Sequence, residues 1–309
     1  MARTATVNAP GKINLTLEIL SKREDGYHDL RSVLLPISLY ETVTVTERDD
    51  GQITLETVGE GVDTSELGNC PPEKNLAVKA AWLMKDISGT SKGCHIHITK
   101  RVPIGAGMAG GSADAAGTME ALRALWLPDV DRKQLVEPSA MLGSDIPGLL
   151  YGGAILMEGR GEIVTPIFNE GEKAAGCFWL VIAFPGVAIS TKKVYENCIP
   201  CLTDRSKICD NAIYSVRKGD VRAACRYIFN GLQDTVFNQY PETKRFYTAL
   251  GNGGALSQML SGSGSAVFGL AESKEHALEI QSQLPEGTWS KVVQTLPDSV
   301  MAAHGPLTP

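Results

Sequence analysis

The sequence predicts an α+β fold, because strands and helices alternate along it without the strict strand-helix-strand order of a doubly wound sheet. The 309 residues are 43% hydrophobic, which is enough to bury the core of two domains or of one large one. Alternating apolar and polar residues at 13–19 and 42–46 predict half-buried strands, and the polar segment 22–26 predicts a turn. The chain therefore begins with a sheet.

Predicted helices and strands then alternate up to a polar, glycine-containing segment at 169–176. Apolar residues at every third or fourth position indicate helices, whereas two-residue alternation or a short apolar run indicates a strand. The predicted elements are a helix at 76–85, a strand at 94–99, a helix containing Ala115, Met119, Leu122 and Trp126, a helix at 132–142, a strand at 149–157 and a turn at 158–161.

The segment 169–176 is the expected domain boundary, with an N-terminal domain at 1–170 and a C-terminal domain at 171–309. The second part repeats the mixture of strands and helices and holds one more glycine-rich turn. Its predicted elements are a strand at 178–184, a helix at 210–231, apolar segments at 255–260 and 266–270 around a turn at 261–265, a helix at 274–284 and a strand at 292–295.

Composition argues against several classes of protein. The net charge of −6 gives no general attraction to phosphodiester backbones, so nucleic acid is not an expected partner. Without a leader-like start or an apolar run of membrane-spanning length, we expect a cytoplasmic protein with no membrane partner. Seven scattered cysteines predict reduced thiols, and neither the Cys198/Cys201 pair nor His95 with His97 has the further ligands that a zinc site needs.

A glycine-rich segment before the second predicted helix carries the strongest chemical signal. Small residues let the backbone approach a bound group, and the free N–H groups at a helix start suit phosphate. Ser112 is expected to cap the helix or to bind phosphate or Mg²⁺, and Asp114 to favour the helix start by its charge. The expected anion-binding residues are Pro103, Ile104, Gly105, Ala106, Gly107, Met108, Ala109, Gly110, Gly111, Ser112 and Ala113.

Two other nucleotide-binding motifs are alternatives for this loop. Gly105, Gly107 and Gly110 fit the dinucleotide-binding pattern, but the loop continues through further small residues and follows strands that do not form a Rossmann unit. A Walker loop is excluded, because Lys12 is followed by Ile13 and not by Ser or Thr. The loop is therefore of neither common type.

Three segments in order, 9–15, 103–116 and 260–266, resemble the motifs of the GHMP kinase superfamily. The resemblance implies two domains, an N-terminal one like ribosomal protein S5 domain 2 and a ferredoxin-like C-terminal one, with the active site in the cleft between them. It also implies ATP and Mg²⁺ as cofactors. The match runs from Ala9 to about Phe268.

Segments 25–30, 142–147 and 158–162 are similar to the branch of this superfamily that acts on a cytidine diphosphate-linked methylerythritol. That similarity implies phosphorylation of the substrate's C2 hydroxyl, giving the 2-phosphate and ADP, in the non-mevalonate route to isoprenoids. It implies Asp145 as the base that takes the hydroxyl proton, with Lys12 beside it to stabilise charge. Gly148 and Leu149 replace the usual aromatic pair, which leaves packing behind the base open.

The same resemblance implies that Asn14 and His28 contact the substrate and that Tyr27 and Tyr195 stack on its cytosine ring. Two alternatives stay open. One is another GHMP kinase, acting on mevalonate, homoserine or a sugar, which has no base to stack. The other is a nucleotide-binding regulator that has kept the fold and lost catalysis. Either a monomer or a homodimer is compatible with the sequence.

Overall fold

The computed structural model describes residues 2–65, 71–198, 207–298 and 301–304, and Cys70 and Cys201 lie outside them. The described residues form two sheets and a set of helices. In chain order the elements are β1 (Thr4–Lys22), β2 (His28–Arg48), β3 (Ile53–Gly59), α1 (Leu76–Ser88), β4 (Gly93–Lys100), α2 (Gly110–Trp126), α3 (Lys133–Ser139), α4 (Ile146–Tyr151), β5 (Ile155–Gly159), β6 (Ile163–Pro166), β7 (Trp179–Phe184), α5 (Thr191–Asn197), α6 (Lys207–Lys218), α7 (Val221–Ala224), β8 (Phe229–Asn230), α8 (Gln233–Gln239), α9 (Pro241–Asn252), β9 (Ser257–Leu260), β10 (Val267–Ala271), α10 (Lys274–Ser282), β11 (Trp289–Gln294) and β12 (Ala303–His304).

The larger sheet is built on one long antiparallel hairpin. Strands β1 and β2 pair from Thr4 opposite Thr46 to Lys22 opposite His28, with irregularities that bend the ribbon. β4 continues the sheet beside β2, and β3 pairs with β4 in parallel. Helices α1 and α2 cover one face, where alternating strand residues such as Val43 meet the alanine-rich side of α2. These small helix residues allow α2 to lie close to the sheet.

The smaller sheet has the strand order β11-β7-β10-β9, all antiparallel. Numbered in chain order, this is 4-1-3-2, with helices between the first and second strands and α10 between the third and fourth. The arrangement is the β-α-β-β-α-β, ferredoxin-like one. Phe268 of β10 is fully buried and packs with Leu180 of β7 in a core that also includes Leu15 of β1. The two sheets therefore share apolar packing.

Late segments also return to the larger sheet. β8 pairs in parallel with the later part of β1, at Thr16 and Leu17. β12 pairs antiparallel with the earlier part of β1, at Thr6 and Val7. The backbone N–H of Leu296 donates to the carbonyl of Pro36 at 2.8 Å. We propose that the two domains divide near residue 170, between β6 and β7. Among the described residues, no helix is both long enough and apolar enough to cross a membrane.

Most sequence-predicted elements are confirmed, but two are wrong. The apolar segment 149–157 is not one strand, since α4 occupies its first part, Gly152 follows with a φ of 87°, and β5 begins at Ile155. The helix predicted at 210–231 ends with α6 at Lys218, because Gly219 has a φ of 63°; α7 and β8 follow. The prediction also missed β3, β6, α5, α8 and α9.

Candidate active site

The three glycine-rich or lysine-containing motifs meet between the two sheets. The backbone N–H of Lys12 donates to the carbonyl of Met108 at 3.1 Å, and the N–H of Ala266 donates to that of Ala106 at 3.1 Å. Gly107 has a φ of 76°, and a Cβ there would lie 2.0 Å from the carbonyl oxygen of Ser261. Only glycine fits this crossing point. The sequence motifs thus form one site.

The glycine-rich loop at residues 103–113, which the sequence predicts to bind phosphate and which is called the phosphate-binding loop below, leads directly into the N-terminus of α2. The residue before the helix is Ala109, with a φ of 57°, and no side chain caps this end. The first N–H groups of an α-helix have no partner within the helix, and the helix dipole makes this end attractive to anions. Gly111 is exposed and Ser112 is half-buried there. The expectation that Ser112 caps the helix is therefore wrong, because the left-handed Ala109 occupies the cap position.

Asp114 is also placed differently from the expectation. Its carboxylate is buried and accepts a hydrogen bond from Lys100 Nζ at 2.7 Å, and it does not lie in the exposed first turn. Lys100 Nζ lies 2.6 Å from the carboxylate of Glu41 as well. Asp114 therefore belongs to a buried ion cluster under the loop.

Lys12 and Asp145 come together at the mouth of the loop. The distance from Lys12 Nζ to the nearer Asp145 carboxylate oxygen is 3.7 Å. The lysine side chain is 5% exposed and the aspartate side chain 30% exposed, so the pair is open on the aspartate side. Lys12 Nζ also donates to the carbonyl of Gly107 at 3.1 Å. This places a cation, a carboxylate and the anion-binding loop side by side.

A buried relay of hydrogen bonds holds the lysine in place. Lys12 Nζ donates to Asn14 Oδ1 at 2.7 Å, and Asn14 Nδ2 donates to Ser32 Oγ at 2.7 Å. The hydroxyl of Ser32 donates in turn to the carbonyl of Thr16 at 2.6 Å. Asn14 has one amide hydrogen beyond these bonds, so it can still contact a ligand. Ser32 was not predicted from the sequence, where a lone serine in a strand carries no signal.

Asp145 is held by the start of α4. The N–H of Leu149 donates to the carbonyl of Asp145 at 3.1 Å, and Pro147 suits the first turn of the helix because it needs no N–H partner there. Gly148 leaves room for the next strand, since a Cβ would lie 2.3 Å from Ile155 Cδ1. Ile155 therefore packs directly against the backbone of α4 at Gly148.

A second group of side chains lines the site beyond Lys12. His28 is 5% exposed, and its ring centroid lies 5.6 Å from that of Tyr195. The thiol of Cys198 is 3.7 Å from His28 Nε2. Burial, and to a lesser degree the charge of Lys22, lowers the pKa of His28. The imidazole is therefore neutral near pH 7, with one nitrogen that donates and one that accepts.

The two tyrosines differ in setting. Burial, followed by the nearby charge of Asp145, raises the pKa of Tyr195. Tyr27 is 55% exposed, and the guanidinium carbon of Arg160 lies 4.9 Å from its ring centroid. A cation over an aromatic face is a favourable contact. Arg160 lies in a segment that carries the family resemblance, but no role was predicted for its side chain.

The last glycine-rich turn, residues 261–265, is fixed by an asparagine that was not predicted from the sequence either. Asn230 Nδ2 donates to the carbonyl of Leu260 at 2.9 Å and to that of Gly262 at 2.8 Å. Asn230 lies on β8, a strand of two residues that was predicted as helix. A strand this short has no periodicity by which to recognise it.

The histidine pair of the sequence, the other candidate for metal ligands, lies on β4 of the larger sheet. His95 and His97 share a face of β4, and both approach Glu56 of β3, at 3.8 and 3.4 Å. Within residues 2–65, 71–198, 207–298 and 301–304, no group of three or more His, Cys, Asp or Glu side chains is arranged to hold a metal ion. The Cys198/Cys201 motif lies partly outside the described residues.

Comparison with known proteins agrees with this geometry. The model of the GHMP kinases N terminal domain matches residues 75–153, and that of the GHMP kinases C terminal domain matches residues 212–288. The first match covers the phosphate-binding loop and α2, and the second covers β9 and β10, two of the four strands of the smaller sheet. A phosphate loop beside a lysine and a carboxylate, between these two domains, defines a small-molecule kinase of this class.

Individual relatives show which family of the GHMP kinases the chain belongs to. The chain is 36% identical over 259 residues to a 4-diphosphocytidyl-2-C-methyl-D-erythritol kinase from Alkaliphilus metalliredigens, covering 84% of this chain and 85% of the relative. It is 36% identical over 278 residues to the enzyme of that name from Caldicellulosiruptor saccharolyticus, covering 90% and 92%. The chain therefore belongs to the GHMP kinases and, within them, to the family of these 4-diphosphocytidyl-2-C-methyl-D-erythritol kinases.

Solved structures support the same placement. A crystal structure of a 4-(cytidine 5'-diphospho)-2C-methyl-D-erythritol kinase superposes with a TM-score of 0.75 at 29% identity, covering 94% of this chain and 98% of that one. The homoserine kinase of Cytophaga hutchinsonii superposes with a TM-score of 0.74 at 17% identity, covering 98% of both chains. The second likeness shows the fold alone.

Proposed function

We propose that this protein transfers the γ-phosphoryl group of ATP to the C2 hydroxyl of 4-diphosphocytidyl-2-C-methyl-D-erythritol, giving the 2-phosphate and ADP. The reaction belongs to the non-mevalonate pathway to isoprenoid precursors. The observation that carries the proposal is the contact between Lys12 and Asp145 beside the phosphate-binding loop. The relatives that cover most of the chain act, by name, on this substrate.

In the proposed reaction, Asp145 accepts the proton of the C2 hydroxyl while the hydroxyl oxygen forms a bond to the γ-phosphorus. The bond to the bridging oxygen of ADP breaks, and ADP leaves with the electron pair. Phosphoryl transfer depends mainly on positioning and charge stabilisation, which the backbone of residues 103–113 and the Lys12 ammonium supply. The relay from Lys12 through Asn14 to Ser32 keeps the ammonium in place.

Magnesium fits this arrangement through the loop. Ser112 does not cap α2, so its hydroxyl is available to a metal ion at the end of the loop. We therefore propose Ser112 as a ligand, together with phosphate oxygens. When bound, the ion neutralises charge on the phosphates. Asp145 keeps its role as the proton acceptor.

The proposed cytosine pocket lies around His28. A neutral imidazole can donate one hydrogen bond and accept another, which suits the edge of a pyrimidine that carries both kinds of group. Tyr195 lies against His28 and offers a ring for stacking, and Tyr27 offers a second one. Asn14 contacts the substrate with its remaining amide hydrogen. We also propose a cytoplasmic location and a monomer or homodimer.

The experiment is ADP release with ATP, Mg²⁺ and the cytidyl substrate, run for the wild type and for Asp145→Asn. Mevalonate and homoserine serve as controls, because kinases for both have this fold. We expect turnover with the cytidyl substrate alone, and its loss in the variant. Turnover with a control would overturn the cytosine pocket, and ATP binding without any turnover would favour a regulator.

A further inference from the structure

Beneath the phosphate-binding loop lies a buried ion cluster that takes no part in the proposed chemistry. Lys100 Nζ lies 2.6 Å from Glu41 Oε1 and 2.7 Å from Asp114 Oδ2. The side chains of the three residues are between 0% and 8% exposed. The three residues come from β2, the end of β4 and the second turn of α2, so the cluster joins three elements around the loop.

Glu41 is the member that touches the loop backbone. Its Oε2 accepts a hydrogen bond from the N–H of Arg101 at 2.7 Å, and its Oε1 accepts a weaker one from the N–H of Val102 at 3.3 Å. These two residues connect β4 to Pro103, where the loop begins. Both oxygens of Glu41 therefore face N–H donors, and Lys100 adds a charged donor to one of them.

Asp114 is bound less completely. Its Oδ2 accepts from Lys100, but its Oδ1 is buried and has no hydrogen-bond partner among the described residues. The guanidinium of Arg101 faces away from the cluster, toward the carboxylate of Glu60 at 2.8 Å. Lys100, Glu41 and Asp114 are thus the charged groups that face one another here.

This cluster is a poor device for stability alone. Burying an ion pair costs desolvation energy, and apolar side chains of similar volume often stabilise a protein equally well or better. An ionic cluster does specify geometry, because its hydrogen bonds have preferred distances and directions. Burial raises the pKa of Glu41 to about 7, a further sign that the site holds this carboxylate at a cost.

We propose that Glu41, held by Lys100, is a positioning residue that sets the start of the phosphate-binding loop and thereby the affinity for the phosphates of ATP. Lys100 also contacts Asp114 of α2, the helix that follows the loop. The inference rests on the proposed function only in taking a polyphosphate as the ligand, and it does not depend on the second substrate.

The test compares Glu41→Gln with Asp114→Asn, the same acid-to-amide change at two members of the cluster. In Glu41→Gln, an amide N–H₂ replaces an oxygen that faces either a backbone N–H or Lys100, so donor meets donor. In Asp114→Asn, the amide N–H₂ can take the place of the unpartnered Oδ1. The readouts are the dissociation constant for ATP by direct titration, both KM values and kcat, with thermal unfolding to show that each variant folds.

We expect Glu41→Gln to raise the dissociation constant and the KM for ATP about tenfold or more, and Asp114→Asn to change them by less than about threefold. The KM for the hydroxyl substrate should stay unchanged in both. A simple charge effect predicts tighter ATP binding in Glu41→Gln, because removing a negative charge near an anion site favours the anion. Lys100→Arg should keep more of the affinity for ATP than Lys100→Met, with Lys133→Met, an exposed ion-pair variant, as the control.

Unchanged ATP affinity in a folded Glu41→Gln variant, or an equal change in the KM of both substrates, would overturn the inference. If Glu41→Gln does not fold, the comparison of Lys100→Met with Lys100→Arg decides: weaker ATP binding in Lys100→Met is expected, and equal binding in the two variants would contradict the inference. A wild type that binds ATP but does not turn over the cytidyl substrate would refute the proposed function and leave this test intact.

Discussion

Lys12 and Lys100 lie on strands of the same sheet and differ mainly in their partners. Both side chains are almost fully buried, 5% exposed for Lys12 and 3% for Lys100. Lys12 donates to neutral oxygens, and its carboxylate partner stands 3.7 Å away with its other side open. Lys100 makes direct contacts with two carboxylates in a closed space.

The difference shows how one residue type serves two purposes. A buried cation that is fully neutralised by carboxylates has little charge left for a ligand, so it can fix backbone positions. A buried cation that is held by neutral oxygens keeps its charge available where negative charge develops during phosphoryl transfer. The number of carboxylates in contact therefore distinguishes Lys100, the proposed support of the loop, from Lys12, the proposed charge stabiliser, and the variants below test that distinction.

The largest expected effect is on stability, at the closed cluster. Lys100→Met leaves two buried carboxylates without their cation, and removing one partner of a buried ion pair costs about 3–5 kcal/mol of unfolding free energy. Denaturant unfolding measures it. The exposed variant Lys133→Met should stay within about 0.5 kcal/mol of the wild type. An equally small change in Lys100→Met would contradict the view that the cluster is a structural support.

Substitution of Lys12 should affect catalysis more than stability, the reverse of the effect expected at Lys100. In the proposed reaction Lys12 stabilises charge on the transferring group, and loss of one such preorganised donor lowers kcat by about 10²–10³, which is the fall expected in Lys12→Met. Its stability should change less than that of Lys100→Met, because Asp145 is partly exposed to solvent. Steady-state kinetics and unfolding of the same two preparations give the comparison. Similar kcat values for Lys12→Met and Lys100→Met would contradict the proposed difference between the two lysines.

A smaller effect is expected at the aromatic wall of the proposed cytosine pocket. Tyr195→Leu keeps an apolar side chain but removes the stacking surface, which is worth about 1–3 kcal/mol per base. The KM for the cytidyl substrate should rise accordingly, while the KM for ATP stays unchanged. Tyr240→Leu, at a half-buried tyrosine directly before α9, is the matched control. Equal effects in the two variants would argue against stacking at Tyr195.

The smallest effect concerns the loop backbone. Ala109 has a φ of 57° at the start of α2, and a non-glycine residue in this region costs about 1–2 kcal/mol. Ala109→Gly should relieve that strain, less the entropy that glycine adds to the unfolded chain. Thermal unfolding should show a small net gain in stability. A clear loss of stability would mean that the alanine methyl group makes packing contacts that outweigh the strain.

The two regions also differ in how far the sequence predicts them. The loop, Lys12 and Asp145 stand in contiguous motifs, so their resemblance to a family was enough to predict the open site. The closed cluster joins residues 41, 100 and 114, which are far apart in the chain, and each alone is typical of a surface charge. Asp114 was accordingly predicted to be a helix-end charge. Partners brought together by pairing between strands have no local pattern.

The fold shows the same limit. Long alternating segments such as β1 and β2, and the alanine-rich α2, were predicted because periodicity is their main signal. The segment 149–157 is apolar throughout, and an apolar run alone does not separate strand from buried helix. The glycine that ends α6 was inside the predicted helix, where its positive φ could not be foreseen.

The most direct test of the open site is a matched pair of substitutions, Asp145→Asn and Asp114→Asn, compared in kcat under saturating ATP and cytidyl substrate. Each removes one carboxylate next to a buried lysine and keeps the shape of the side chain. We predict a fall of about 10²–10⁴ for Asp145→Asn, the range for loss of a general base, and a nearly unchanged kcat for Asp114→Asn. Equal losses in both variants, or a retained kcat in Asp145→Asn, would contradict the assignment of Asp145 as the reacting carboxylate.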